Sequence, residues 1–147
     1  MSEYKIETKC IQSGYQPKNG EPRVLPIYQS TTYKYDSAAE MGDLFDLKAP
    51  GHMYSRISNP TLEEVEKKIA DLEGGTGAVL CASGMAAILV AILNISSSGD
   101  NIVASASVYG GTVNLFSVTL KRLGIETRFF TSDMSDDEVE ALFDDRT

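Results

Sequence analysis

The stretch Gly74 to Leu93, GGTGAVLCASGMAAILVAIL, limits what this chain can fold into more than any other part of it. Ala78 to Cys81 is a short apolar run centred on Val79 and Leu80, the pattern of a strand covered on both faces. Ser83-Gly84 breaks the run. Met85 to Leu93 resumes it with apolar residues on every side, which predicts a helix deep in a core. A strand feeding a helix through Ser-Gly leaves the first N–H groups of that helix unpaired and aimed at one spot, suited to phosphate or carboxylate. An ordinary structural turn between strand and helix has the same sequence, so the reading stays open here. Gly75 and Gly77 precede the strand, so the G-x-G-x-x-G fingerprint is missing, and no G-K-[ST] loop occurs. The expectation is an anion site that serves neither a dinucleotide nor ATP.

The flanks have the rhythm of an α/β domain with a parallel sheet. Asn59 is placed to cap a helix whose first residue is Pro60. Leu62, Val65, Ile69 and Leu72 form one apolar stripe along it, and Gly74 ends it. Ser37 can cap a shorter helix reaching Leu44 or Phe45. Beyond the central stretch, Asn101 to Ala104 and Glu126 to Phe130 read as strands. Thr112 to Leu123 reads as a helix stopped by Gly124, and Ser135 caps an acidic helix that begins Asp136-Asp137-Glu138. Residues 1–36 lack helical periodicity and hold three prolines and four tyrosines in Tyr15 to Asp36. Val24, Leu25, Ile27 and the tyrosines are too apolar for a disordered tail. Such an arm is expected to wrap something, a partner subunit above all.

Composition removes several function classes. A net charge of −8 argues against a general nucleic-acid or anionic-membrane surface. Cys10 and Cys81 make no disulfide framework, which favours a reducing compartment, and the expectation is a soluble cytoplasmic chain. MSEYKIETKC has no apolar core of a signal peptide, no stretch has membrane-spanning length, and no metal-ligand cluster is visible.

Few residues are left to carry chemistry. Tyr54 and Arg56 stand two apart, a spacing that puts both on one face of an extended segment, where a guanidinium fork and a hydroxyl could clamp phosphate. A surface arginine beside a packing tyrosine is the reading that spacing alone favours. Tyr109 in SVYGGT follows the Asn101 strand at its carboxyl end, where parallel-sheet enzymes keep ligands, and could stack on a flat ring or simply line the rim. His52, the single histidine, has no partner visible in the sequence and is expected to be a solvated loop residue. Cys81 is expected in the core, and the carboxylates from Asp133 to Asp145 on a solvated helix face.

Four pieces occur in order: PIYQSTTY, YSRISNPT, CASGMAA and YGGTVNLF. Together they resemble the N-terminal part of the Cys/Met-metabolism family of pyridoxal-phosphate enzymes, of fold type I. Asn114-Leu115-Phe116 resembles the O-acetylhomoserine sulfhydrylase branch most. The resemblance implies an aspartate-aminotransferase-like α/β fold: an incomplete, mainly parallel sheet with flanking helices, preceded by an extended N-terminal arm. It divides the chain into an arm, residues 1–58, contacting a neighbouring subunit, and the first part of the cofactor-binding large domain, residues 59–147.

The resemblance also implies pyridoxal 5'-phosphate, its phosphate bound by the Gly84 and Met85 N–H groups with Ser83 beside them, and its ring stacked on Tyr109. Tyr54 and Arg56 would reach the phosphate of the neighbouring subunit, in a dimer at least and usually in a dimer of dimers. The implied reaction is γ-replacement on an amino acid: acetate leaves the γ-carbon and sulfide or a thiol adds, giving homocysteine or methionine. Tyr54 and Tyr109 are candidates to assist proton or leaving-group steps. A cystathionine γ-synthase or lyase, a methionine γ-lyase, or a non-catalytic truncated fragment are the alternatives.

The family's Schiff-base lysine, the aspartate partner of the ring nitrogen, and the Ser/Thr that complete the phosphate cup have no matching positions in these residues. Ser117-Val118-Thr119-Leu120-Lys121 has one residue too many for the lysine motif and falls in a predicted helix. The chain is therefore expected to be a fragment, or half of a nicked protein, inactive alone and completed by the remainder of the same protein.

Overall fold

The computed structural model describes residues 4–147 and contains two compact units, divided after Leu80.

In the first unit, α1 (Ile6–Gln12) lies against α3 (Pro60–Glu73). The helix α1 was not expected, because its sequence has no apolar period. Contacts with α3 hold it instead: Lys9 Nζ meets Asp71 Oδ1 at 2.9 Å, and Lys68 Nζ donates to the Cys10 and Ile11 carbonyls at 3.3 and 3.4 Å. Gly14 follows at φ +90°, and a Cβ there would lie 2.6 Å from the Glu64 carbonyl oxygen, so only glycine lets the chain turn this close to α3. The first part of the arm is thus seated on its own chain, while Val24 and Ile27 further along stay exposed. α2 (Ala38–Phe45) begins as expected, with Ser37 Oγ accepting from the Glu40 N–H. α3 also has its expected ends, Asn59 as cap, Pro60 at its first position and Gly74 in the left-handed region at φ 68°. Its predicted stripe is not its buried side: Leu62, Val65 and Ile69 are 42–47% exposed, while Ala70 is buried.

The expected strand at Ala78 to Cys81 is absent. The segment is irregular and Val79 is 77% exposed. A strand needs a neighbour for its backbone groups. Here the Leu80 N–H donates instead to Glu66 Oε1 at 2.8 Å. Cys81 is half-buried in the irregular start of the second unit, which corrects its assignment to a core strand.

The second unit is a small α/β layer. β1 (Asn101–Ser105) and β2 (Glu126–Phe130) pair in parallel, Asn101 opposite Glu126 and Ser105 opposite Phe130. Between them runs a helix that starts two residues earlier than predicted, as α5 (Gly110–Asn114), and widens into a π-helical segment, Leu115–Leu120. Inside it Ser117 Oγ donates back to the Val113 carbonyl at 2.6 Å, a side-chain bond that competes with the α-helical ladder. The core is Leu115, Phe116, Leu120 and Ile125, closed on one side by Met85, Ile88, Leu89 and Ile92 of α4 (Gly84–Ile95) and on the other by Ile102, Ala104 and Phe129. The buried π-helical residues are Leu115, Phe116 and Leu120, while Val118 is 40% exposed.

α4 therefore buries one stripe at steps of three, one and three, and corrects the expectation of burial all round. Val90 and Ile95 on its other side are 51% and 77% exposed. The unit supplies a single layer for α4 to pack on, and a helix apolar on all faces requires two. α6 (Asp136–Glu140) begins with the full capping box of Ser135 and Glu138. The acidic run stays exposed as expected, yet Asp144 is not idle: it accepts from Asn101 Nδ2 at 2.8 Å and pairs with Arg128 at 2.7 Å, fastening the chain to the start of β1 and the middle of β2.

Candidate anion and cofactor site

The N-terminus of α4 has the geometry the sequence suggested. Ser83 caps it in extended conformation, its Oγ accepting from the Ala86 N–H at 3.1 Å, while its carbonyl accepts from Ala87. The Gly84 and Met85 N–H groups have no acceptor among the described residues. They are adjacent donors at the positive end of a twelve-residue helix. The space where a Gly84 Cβ would stand is open to 4 Å, so a ligand can approach the backbone there.

Tyr109 comes to the same corner of the second unit. It caps α5 at the end of the loop that leaves β1. Its ring lies over the first turn of that helix, where a Cβ on Gly111 would be 2.6 Å from Tyr109 Cε1. That close approach is what glycine at 111 permits. Thr112 Oγ1, in the same turn, contacts Met85 Sδ at 3.9 Å, so the starts of α4 and α5 are neighbours. Tyr109 is 76% exposed, at the start of the helix that neighbours the two vacant N–H donors. A phosphate tethered to a flat ring matches that combination, an anion on the helix end and a ring on the tyrosine.

Tyr54 and Arg56 belong to the first unit. They share a face through a turn, and the expected extended segment is not what brings them together. The Ile57 and Ser58 N–H groups both donate to the Tyr54 carbonyl, at 2.9 and 3.0 Å, and the Arg56 guanidinium carbon lies 5.3 Å from the Tyr54 ring centroid. Arg56 is exposed and pairs with no carboxylate among the described residues, which leaves its fork available to an anion. A cavity of about 390 Å³ adjoins the pair, lined by Thr32, Tyr33, Met41, Phe45, Met53 and Ile57.

The structure corrects the reading of His52. The residue is half-buried and bonded through both ring nitrogens, Nε2 to Glu63 Oε2 at 2.9 Å and Nδ1 to Ser58 Oγ at 3.0 Å. Neither partner stands at a spacing that sequence inspection singles out. The only signal was that a histidine precedes a loop ending in a helix cap. Asn59 does more than cap: it is buried, its Oδ1 accepts from Thr61 N–H, and its Nδ2 donates to the Tyr28 carbonyl, Tyr33 Oη and Ser55 Oγ at 3.0–3.2 Å. Lys121 directly follows the π-helical segment, as its predicted helical setting required. The described residues hold no group of side chains placed to bind a metal ion, and no described helix is long and apolar enough to cross a membrane.

A parallel α/β layer with vacant donors at one helix end, next to a helix opened by an exposed tyrosine, is the architecture of an α/β domain with a candidate anion site. Residues 7–147 match the profile of the Cys/Met-metabolism pyridoxal-phosphate-dependent enzymes, and the chain belongs to that family. It is 46% identical over 147 residues to O-acetyl-L-homoserine sulfhydrylase 1 of Thermus thermophilus, covering 97% of this chain and 34% of that protein. It is 47% identical over 128 residues to O-acetyl-L-homoserine sulfhydrylase of Corynebacterium glutamicum, covering 86% and 29%. A Campylobacter jejuni structure, described as a candidate O-acetylhomoserine (thiol)-lyase carrying a pyridoxyl-lysine monophosphate, superposes with a TM-score of 0.90 at 39% identity, covering 98% of this chain and 35% of that one. The chain spans about a third of the length of these relatives. The fold is that of the fold type I enzymes. The residues at the start of α4 fit the cofactor of this family: two unpaired donors and an uncrowded backbone suit its phosphate, and the exposed Tyr109 suits its ring.

Proposed function

We propose that this chain is the N-terminal portion of an O-acetylhomoserine sulfhydrylase-like enzyme. Residues 1–58 serve as the arm toward a neighbouring subunit, and residues 59–147 as the first part of the cofactor-binding domain. The complete protein would replace the acetate of O-acetylhomoserine by sulfide or a thiol. The observation that carries the reading is the pair of vacant N–H groups at Gly84 and Met85, next to the helix start where Tyr109 stands exposed. Relatives named as sulfhydrylases are 42–47% identical, against 30% for a structure of cystathionine γ-lyase from Lactobacillus plantarum, and this ordering favours sulfhydrolysis over the other reactions of the family.

Pyridoxal phosphate supplies the electron sink that allows an amino acid to lose its α-hydrogen and then its γ-substituent. The residues of this chain bind and orient. Ser83 holds the first turn of α4 so that the Gly84 and Met85 N–H groups would donate to the phosphate, and the Tyr109 ring would stack on the pyridine. Tyr54 and Arg56 act in trans, on the phosphate of a second copy in a homo-oligomer, a dimer of dimers in the form usual for such enzymes. The Tyr54 and Tyr109 hydroxyls are within the chemistry of a proton relay to the leaving group. A chain with two free cysteines and no disulfide suits the cytoplasm.

Borohydride reduction of the complete protein with pyridoxal phosphate, followed by mass spectrometry, tests the assignment. The expected adduct is stoichiometric and lies on a lysine outside residues 4–147, in a protein that makes homocysteine from O-acetylhomoserine and sulfide. A complete protein that takes up no cofactor, or that turns over cystathionine but not O-acetylhomoserine, would contradict it.

A further inference from the structure

We propose that His52 is a positioning residue for the Tyr54–Arg56 clamp, tying both ends of the loop 52–58 so that the clamp is already formed when the phosphate arrives. The proposal rests on the reading that Tyr54 and Arg56 contact the cofactor phosphate of a second copy. The loop leaves α2 through Gly51, where a Cβ would stand 2.7 Å from Tyr35 Oη and 2.8 Å from Leu44 Cδ2, and ends at the cap of α3. His52 connects its start to its end. Nδ1 meets the Ser58 hydroxyl at 3.0 Å, and Nε2 reaches past the loop to Glu63 in α3 at 2.9 Å.

The chemistry fixes the roles of the two nitrogens. The Glu63 carboxylate only accepts, so Nε2 carries the hydrogen, and in the neutral ring Nδ1 accepts from Ser58. Lys67 Nζ holds the second Glu63 oxygen at 2.8 Å, so the carboxylate is itself oriented. The His52 carbonyl accepts from Tyr35 Oη at 3.0 Å, and the Tyr33 ring lies 5.7 Å from the imidazole. Between the tied ends, the Ser55 N–H is anchored to the Thr31 carbonyl at 2.9 Å. Backbone is thus secured at positions 52, 55 and 58, and the exposed Arg56 side chain is the part left free. Imidazole is the side chain that bonds in two directions from one rigid ring; asparagine reaches only the Ser58 side and glutamine only the Glu63 side.

The test compares pyridoxal phosphate with pyridoxal, which lacks the phosphate, in equilibrium titrations of the apo form of the complete protein. His52→Ala is expected to weaken pyridoxal phosphate about tenfold, the usual scale for losing the support behind a binding group, and to leave pyridoxal unchanged. In an Arg56→Ala background the same change should add little. Equal weakening of both compounds, or full affinity in His52→Ala where Arg56→Ala is impaired, overturns the positioning role. Arg56→Ala without effect on pyridoxal phosphate overturns the clamp itself, and the positioning role with it. Ser58→Ala removes a single hydroxyl and keeps the question answerable if His52→Ala does not fold. It should show the same loss confined to the phosphorylated compound, and no such selectivity counts against the proposal.

Discussion

Asn59 shows how much one side chain can hold together in this chain. Its position before a proline and an apolar period marks it as a helix cap from sequence. Its Nδ2 contacts to the Tyr28 carbonyl, Tyr33 and Ser55 arise only when the arm and the 52–58 loop fold over the start of α3. Replacing it with alanine removes the cap, worth about 1 kcal/mol, and the bonds of its Nδ2 to the arm and loop, worth about 1 kcal/mol more. We expect Asn59→Ala to destabilise the first unit by about 2 kcal/mol or more in denaturant titration; a loss below about 0.5 kcal/mol would show that water replaces these bonds. His52 was illegible for the same physical reason. Its partners are six and eleven residues away, and a turn in a loop sets those distances where no periodic spacing does.

At the scale of elements, the start of β1 and the middle of β2 are fastened by Asp144. The Asp144 carboxylate accepts from the Arg146 N–H, from Asn101 Nδ2 and from Arg128, which lower its pKa from 3.8 to about 2. A carboxyl whose folded pKa is depressed stabilises fully above its unfolded value, and that contribution fades as pH falls through the folded one. The window here runs from pH about 4 down to about 2. Thermal unfolding of the protein and of Asp144→Asn should therefore differ most at neutral pH and converge toward pH 2. A difference independent of pH would mean that the carboxylate's charge is irrelevant to the clasp. The capped elements α2, α3 and α6 and both strands were readable from local sequence. The π-helical widening was not, because it depends on how Leu115, Phe116 and Leu120 together meet the core.

For the whole chain, the informative feature is apolar surface without cover. Val79, Val90 and Ile95 are 51–77% exposed, and β1 pairs on one edge only among the described residues. Exposed apolar side chains and an open strand edge promote association. The 147-residue chain alone is expected to bind a hydrophobic dye and to self-associate in light scattering, whereas the complete protein should do neither beyond its defined oligomer. A monodisperse, dye-silent monomer of the chain alone would contradict the view that these faces are built to be covered.

By itself the sequence determined the capped helices, the two β-strands and the Ser83–Met85 turn with its vacant donors, because caps, alternating apolar runs and Ser-Gly breaks act within a few residues. The ordered set of motifs determined the family. Tertiary structure alone decided that Ala78 to Cys81 stays irregular, that α4 buries one stripe, and that His52 bridges Ser58 and Glu63. A strand needs a partner, a helix face needs a layer, and a histidine needs two acceptors or donors at bonding distance. None of these is a property of the segment that requires it.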